Sequence, residues 1–176
     1  MARGTETLTS ERLILRQWRD SDLPSWIQMN ADPDVMRYFE KPLDEAESLA
    51  FAERIRSHIE QTGWGLWALE IKGGPEFAGF VGLSRKDFGL SFMPCVEIGW
   101  RLAKETWGHG YATEAALLAL SFGREKFETI YSYTSVANLP SRRVMERLGL
   151  IERPELAFDH PQVRNSELKP HVVYST

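Results

Sequence analysis

Residues 107–114 read Trp-Gly-His-Gly-Tyr-Ala-Thr-Glu and set two glycines and an alanine at alternate positions, 108, 110 and 112. Small residues at that spacing let a backbone approach a ligand closely, and the apolar run that follows predicts a helix from near Thr113 to Phe127. A helix start presents unpaired N–H groups and the positive end of its dipole, so this segment suits an anion such as a pyrophosphate. A tight turn that binds nothing is the plain alternative. Neither commoner phosphate loop is present: a Walker loop needs Gly-Lys-Ser/Thr after a four-residue gap, and a dinucleotide fingerprint needs a third glycine where Thr113 stands.

The elements that must position this loop follow from periodicity and punctuation. Residues 96–102, after Pro94, read as the strand that leads into it. Upstream, 11–16 is a first strand, and Asp20, Ser21 and Asp22 start a helix that runs through Met29. Asp44-Glu45-Ala46-Glu47 has the form of a capping box, Ala46, Leu49, Ala50, Ala52, Ile55 and Ile59 recur at helical steps, and Gly63 is the expected stop. Strands at 66–71 and 77–83 flank the turn 72–76 as a hairpin. Downstream, 130–136 is a strand, Asn138-Leu139-Pro140-Ser141 opens a short helix closed by Gly149, and a polar tail carries a last strand at 171–174.

With 43 % apolar and 26 % charged side chains among 176 residues, and with six Trp, nine Phe and five Tyr, the chain has the bulk for one core. A single domain over 1–176 is expected, with no metal or disulfide staple. Twenty-one Lys and Arg against 25 Asp and Glu give a net charge of −4, and the basic residues are scattered, which argues against a nucleic-acid partner. The most apolar stretch, 115–122, is far shorter than the ~20 residues a bilayer demands, so no membrane partner is expected. Residues 1–10 lack the apolar segment of a secretory signal. Cys95 stands alone, which excludes an internal disulfide and suits a reducing cytoplasm.

The loop, read with its flanks, resembles that of the GNAT superfamily of acetyl-CoA-dependent N-acetyltransferases, and Trp-Gly-x-Gly-Tyr-Ala-Thr-Glu-Ala is similar to its RimJ/RimL-like branch. Residues 11–16 resemble the superfamily's first strand, 97–100 its fourth, and 138–150 its last helix with the glycine stop. The resemblance spans about residues 8–152. It implies an α/β (α+β) fold with a mixed, mostly antiparallel central sheet flanked by helices, whose splayed fourth and fifth strands form the acetyl-CoA cleft.

The resemblance also implies roles. Acetyl-CoA is the cosubstrate, no metal takes part, and a primary amine attacks the thioester directly; the acceptor, from a protein N-terminus to an amino sugar, polyamine or other small amine, is left open. Backbone groups near Arg101 and Leu102 would hold the pantetheine and the thioester oxygen, the amides of Trp107, Gly108, His109, Gly110, Tyr111 and Ala112 the pyrophosphate, and Asn138 the pantetheine arm. Trp107 stands where the broad pattern has Gln or Arg, so a side-chain contact to phosphate is lost there. Met145 stands where many members have a Tyr that protonates the thiolate, and the branch suggests Ser141 instead. Glu97 is the candidate base, against the plain reading of a solvated or ion-paired strand residue; His160 and water are the alternatives. The plain reading of Ser141 is a helix cap; Cys95 reads as a packing residue, His58 as a residue on an exposed helix face, His171 as the start of the last strand, and Trp18, Trp26, Trp64 and Trp67 as core or groove wall. An inert acyl-CoA-binding module is the competing function, and an exposed sheet edge or shared groove leaves room for a homodimer.

Overall fold

The structure, a computed structural model, describes residues 5–176. The reading of residues 1–10 therefore falls partly on 1–4, outside the described residues. In chain order the elements are β1 (Leu8–Thr9), β2 (Leu13–Arg16), α1 (Leu23–Ala31), α2 (Glu45–Thr62), β3 (Leu66–Ile71), β4 (Gly79–Lys86), β5 (Cys95–Leu102), α3 (Tyr111–Arg124), β6 (Ile130–Ser135), α4 (Leu139–Arg147), β7 (Ile151–Glu152), β8 (Phe158–Asp159) and β9 (Pro170–Ser175). One sheet runs β1-β2-β3-β4-β5-β6-β9-β7, with β8 also paired to β9. Every pairing is antiparallel except β5 with β6. Helices flank this mixed, mostly antiparallel sheet as expected.

Strand alternation sorts the core into two layers. Phe80 and Arg101, paired across β4 and β5, face α1 and α2, where Trp26 and Phe51 meet them. Leu83 and Ile130 face α3, and Gly123 on that helix has no room for a side chain, since a Cβ would lie 2.6 Å from Ile130 Cδ1. Trp18, Trp26, Trp64 and Trp67 are all buried.

Local chemistry explains the helix ends. Asp44 Oδ1 accepts from the Glu47 N–H at 2.8 Å, Glu47 Oε2 accepts from the Asp44 N–H at 3.0 Å, and Gly63 ends α2 at φ 83°. The buried face of α2 differs from the expected one: it is Ser48, Ala52, Ile55 and Ile59, whereas Ala46, Leu49 and Ala50 are exposed. Ser48 belongs inside because Asn30 and the Trp26 indole bond to it, which apolar periodicity cannot register. His58 is half-buried against Trp64 rather than exposed. The polar tail is also more structured than a tail: its last strand, β9, inserts between β6 and β7.

Candidate functional site

The sheet opens between β5 and β6. Their parallel register comprises Val96 with Ile130 and Glu97 with Tyr131. One more link follows, the Ser132 hydroxyl donating to Ile98 O at 2.9 Å, and no register pair joins the strands beyond it. This is the expected splay of the fourth and fifth superfamily strands.

Which main-chain groups face the opening follows from alternation. The Ala103 N–H donates to Ala78 O on the β4 side, so the groups of Arg101 turn toward β4 as well, while those of Trp100 and Leu102 turn toward the split. A Cβ on Gly79 would lie 2.1 Å from Arg101 O, which places that oxygen on the β4 side independently. Of the two residues expected to offer backbone groups, Leu102 is brought to the split and Arg101 is not. Trp100 takes its place, and counting alternate residues along 96–102 would have found it. The Leu102 carbonyl is already engaged, accepting from Trp107 Nε1 at 2.9 Å.

The glycine loop ends at the N-terminus of α3. Gly108 and Gly110 have φ of 81° and 80°, a left-handed conformation that glycine adopts without strain. No side chain caps the helix, and its first internal bond runs from the Glu114 N–H to Gly110 O at 3.1 Å. The N–H groups of Tyr111, Ala112 and Thr113 are thus the open donors of the first turn. His109 stacks on Tyr111 with ring centroids 5.3 Å apart, and Trp107 is 46 % exposed.

Arg12, just before β2, ties this loop to the sheet and was not among the expected site residues. Its Nε donates to Glu114 Oε2 at 2.7 Å, its Nη1 donates to His109 O at 3.2 Å, and its guanidinium lies 4.8 Å from the centre of the Tyr111 ring. Ser10 Oγ holds the other Glu114 oxygen at 2.6 Å. Burial opposes ionisation of Glu114, but these two donors and the Arg12 charge hold its pKa below the usual carboxylate range. About a hundred residues separate Arg12 from the loop, so no spacing rule connects them.

Glu97 lies on the α1/α2 face of β5, its side chain 17 % exposed. Ser84 Oγ donates to Oε2 at 3.4 Å and Lys86 Nζ stands 3.8 Å away. Burial raises its pKa above the ordinary carboxylate value, against the opposing pull of Lys86, the Tyr133 hydroxyl and Ser84. Burial and the same carboxylate push the Tyr133 phenol upward, so Tyr133 stays protonated and able to donate. Next along this face, Gly99 is open: a Cβ there would meet only Glu97 Oε1, at 3.9 Å.

Asn138 and Ser141 meet at the start of α4. Asn138 is the cap, its Oδ1 accepting the Ser141 N–H at 3.3 Å and its Nδ2 donating to Thr134 Oγ1 at 2.9 Å. Ser141 is therefore capped, not capping, and its hydroxyl has no hydrogen-bond partner among the described residues. Met145 is buried in the core.

His160 packs with Phe88, Tyr133, Phe158 and His171, its Nδ1 accepting from the Gln162 N–H at 3.2 Å. Burial, His171 and Lys86 lower its pKa to about 4. Cys95 is buried, and burial raises its thiol to about 11, so it stays protonated. Among the described residues no cluster of three or more His, Cys, Asp or Glu could hold a metal ion, and no helix is long and apolar enough to cross a membrane.

An open-edged strand, an uncapped helix start at its end and a split between parallel neighbours thus lie together, beside a half-buried carboxylate. Residues 12–151 match the acetyltransferase (GNAT) domain family, and the chain belongs to that family. The YkkB protein of Bacillus subtilis (strain 168) is 30 % identical over 146 residues, covering 81 % of this chain and 84 % of its own. An acetyltransferase from Agrobacterium tumefaciens str. C58 superposes with a TM-score of 0.78 at 25 % identity, covering 100 % of this chain and 96 % of that one. RimJ from Mycobacterium smegmatis, solved in complex with CoA-disulfide, superposes with a TM-score of 0.73 over 97 % of this chain and 87 % of that one; at 18 % identity it shares the fold. The protein is an N-acetyltransferase of the GNAT fold.

Proposed function

We propose that the protein, with residues 1–176 as one catalytic domain in a reducing cytoplasm, transfers acetyl from acetyl-CoA to a primary amine by direct attack. The single observation that carries this reading is the continuity of the split with the uncapped α3 N-terminus at one end and Glu97 beside it. The donor set fits acetyl-CoA as substrate: amides of Gly108, His109, Gly110, Tyr111 and Ala112 for its pyrophosphate, and gap-facing groups of Trp100 and the Leu102 N–H for its pantetheine arm; the Trp107 N–H, expected among the phosphate donors, is instead spent on Lys104 O at 3.2 Å, closing the turn before the loop. Bound there, acetyl-CoA supplies an activated thioester.

The remaining chemistry belongs to the chain. Glu97, held above the ordinary carboxylate range by burial, takes a proton from the acceptor amine. The need for a base depends on the acceptor, since an α-amino group has a pKa near ~8 and a Lys amine near ~10.4. The gap-facing N–H groups of Trp100 and Leu102 are the donors placed for a developing oxyanion. Ser141, whose hydroxyl is free, donates a proton to the departing sulfur. Glu97 projects from the α1/α2 face whereas α4 packs beside α3, so base and acid approach the split from opposite faces.

Thiol release from acetyl-CoA across a panel of amines tests this reading. Amine-dependent release is expected. Tight acetyl-CoA binding without it would favour the inert binding module.

A further inference from the structure

Arg101 is a buried cation without an anion. The residue is 8 % exposed, Nη1 donates to Asn30 Oδ1 at 2.7 Å, and Nε is sealed from solvent with no partner. None of the ion pairs among the described residues includes it. Four aromatic rings surround the guanidinium, at 4.2 Å for Phe39, 5.6 Å for Trp26 and Phe80, and 5.7 Å for Phe51. Such faces offset part of the cost of removing a charge from water, but they are a weak substitute for a counter-ion. Burial alone pulls its pKa down to about 10, with no acidic neighbour to restore it.

This cation lines a cavity of about 480 Å³, together with Met36, Phe39, Leu43, Phe51 and Arg54. The two carboxylates on the same wall are occupied. Glu40 accepts the N–H groups of Arg164 and Asn165 at 3.0 Å, and Glu47 takes Lys41 Nζ at 2.6 Å and the Asp44 N–H at 3.0 Å. Arg54 rests on Phe51 at 5.4 Å and adds a second positive charge that has no carboxylate partner among the described residues. Of the charges on this lining Lys41 and Glu47 pair with each other, Glu40 keeps its charge while its oxygens are taken by backbone N–H groups, and Arg54 and Arg101 leave the balance positive within mostly apolar walls. On β5, Arg101 lies four residues from Glu97 on one face, about 13 Å away at the usual strand rise, and Gly99 leaves the path between them open.

We propose that the acceptor is an aminocarboxylate with its two ends several carbons apart, its carboxylate held by Arg101 in this cavity and its amine carried over Gly99 toward Glu97 and the split. The inference rests on the acetyl-transfer reading and names the substrate class for it. A planar guanidinium suits a carboxylate because two of its N–H groups can bond the two oxygens together. In the reaction the amine nitrogen bonds to the acetyl carbon as the carbon–sulfur bond breaks, Glu97 takes the proton lost by nitrogen, and the sulfur takes one from the Ser141 hydroxyl, which regains it from solvent as Glu97 releases its own. The carboxylate takes no part.

The test measures thiol release from acetyl-CoA with lysine and a series of straight-chain ω-amino acids, each beside its amide and its decarboxylated amine. At least one free acid is expected to exceed both counterparts by about tenfold or more in kcat/KM, the scale of a hydrogen bond to a charged group. The amide has the less basic amine, so a preference for the acid cannot come from amine ionisation. Arg101→Met should collapse that ratio toward one; the desolvation it relieves is set against the buried Asn30 Oδ1 it leaves without a donor, so the ratio and not Tm is the readout. Should that variant not fold, Arg101→Lys, which keeps the charge but loses the fork, should reduce the ratio. Amides or decarboxylated amines turned over as well as the acids would overturn the proposal while leaving acetyl transfer intact, as would a preference for peptides over free amino acids. If no amine releases thiol, acetyl transfer itself fails, and melting with the same amino acids alone decides on binding: a Tm rise seen in the native chain and abolished in the Arg101 variant supports it, and no rise overturns it.

Discussion

At the α3 end of the split the groups open to a ligand are main-chain N–H groups of Tyr111, Ala112 and Thr113, positioned by two left-handed glycines. On the α1/α2 face they are side chains drawn from separate elements: Glu97 and Arg101 from β5, Ser84 and Lys86 from β4, Tyr133 from β6, Asn30 from α1. In the proposed reading the first region recognises through backbone conformation, so it should tolerate changes of side chain but not of φ. The second recognises through buried charge, so single atoms matter and pH enters.

The largest expected effect is on the second region. Glu97→Gln removes the proposed base while keeping its shape, and kcat/KM should fall ~10²- to 10⁴-fold at neutral pH. The native rate should rise with pH as the carboxyl ionises, and the variant should lose that limb. Stability should move the opposite way. A carboxyl whose folded pKa is raised holds its proton more tightly in the native state; that favours folding below the unfolded pKa and is lost as pH rises through the folded one. Glu97→Gln should therefore raise Tm at neutral pH and leave it unchanged in acid. A native pH profile in the variant would move the base to water.

Ser141→Ala probes the proposed acid and should reduce kcat by about 10²-fold, the lower end for a positioned proton donor, since a thiolate leaves readily. Acetyl-CoA affinity and Tm should hold, because the cap bond uses the Ser141 N–H and survives the substitution. Full turnover would assign the proton to water.

In the first region, Gly110→Val should weaken acetyl-CoA binding about tenfold. A Cβ at 110 meets no atom nearer than Arg12 Nη2, at 3.8 Å, so crowding is not the cause. The φ of 80° is: a left-handed β-branched residue costs about 1–2 kcal/mol, and relaxing it turns the α3 amides away. Unchanged affinity by calorimetry would remove the phosphate-site reading.

The same contrast explains what could be read from the chain alone. The glycine loop, the strand before it and the capping box of α2 were legible because each is a local pattern whose backbone consequence is fixed within a few residues. Arg12 beside Glu114, Tyr133 beside Glu97 and the Arg101 cage were not, because each joins segments distant in sequence through the register of the sheet. The buried face of α2 was misplaced for a related reason: Ser48 is inside owing to Trp26 and Asn30 on another helix. Arg101 was assigned by its backbone, yet its place in the alternation turns that backbone to β4 and its side chain to the opposite cavity.

Asn138 stands between the two regions and gives the smallest and most discriminating effect. Its Oδ1 caps α4 and its Nδ2 holds Thr134, so Asn138→Ala should lower stability by ~1 kcal/mol, or about 2–4 °C in Tm for a chain of this size. That result alone would fit a purely structural cap. Asn138→Asp separates the roles. The carboxylate still accepts the Ser141 N–H and adds a favourable charge at the helix start, so stability should be nearly native, while the Nδ2 donor is gone. If the Asn138 amide also holds the pantetheine arm, acetyl-CoA affinity should fall in the Asp variant with Tm preserved. If affinity follows stability in both variants, Asn138 acts by shaping the turn that presents Ser141, and the cofactor side of the cleft is backbone throughout.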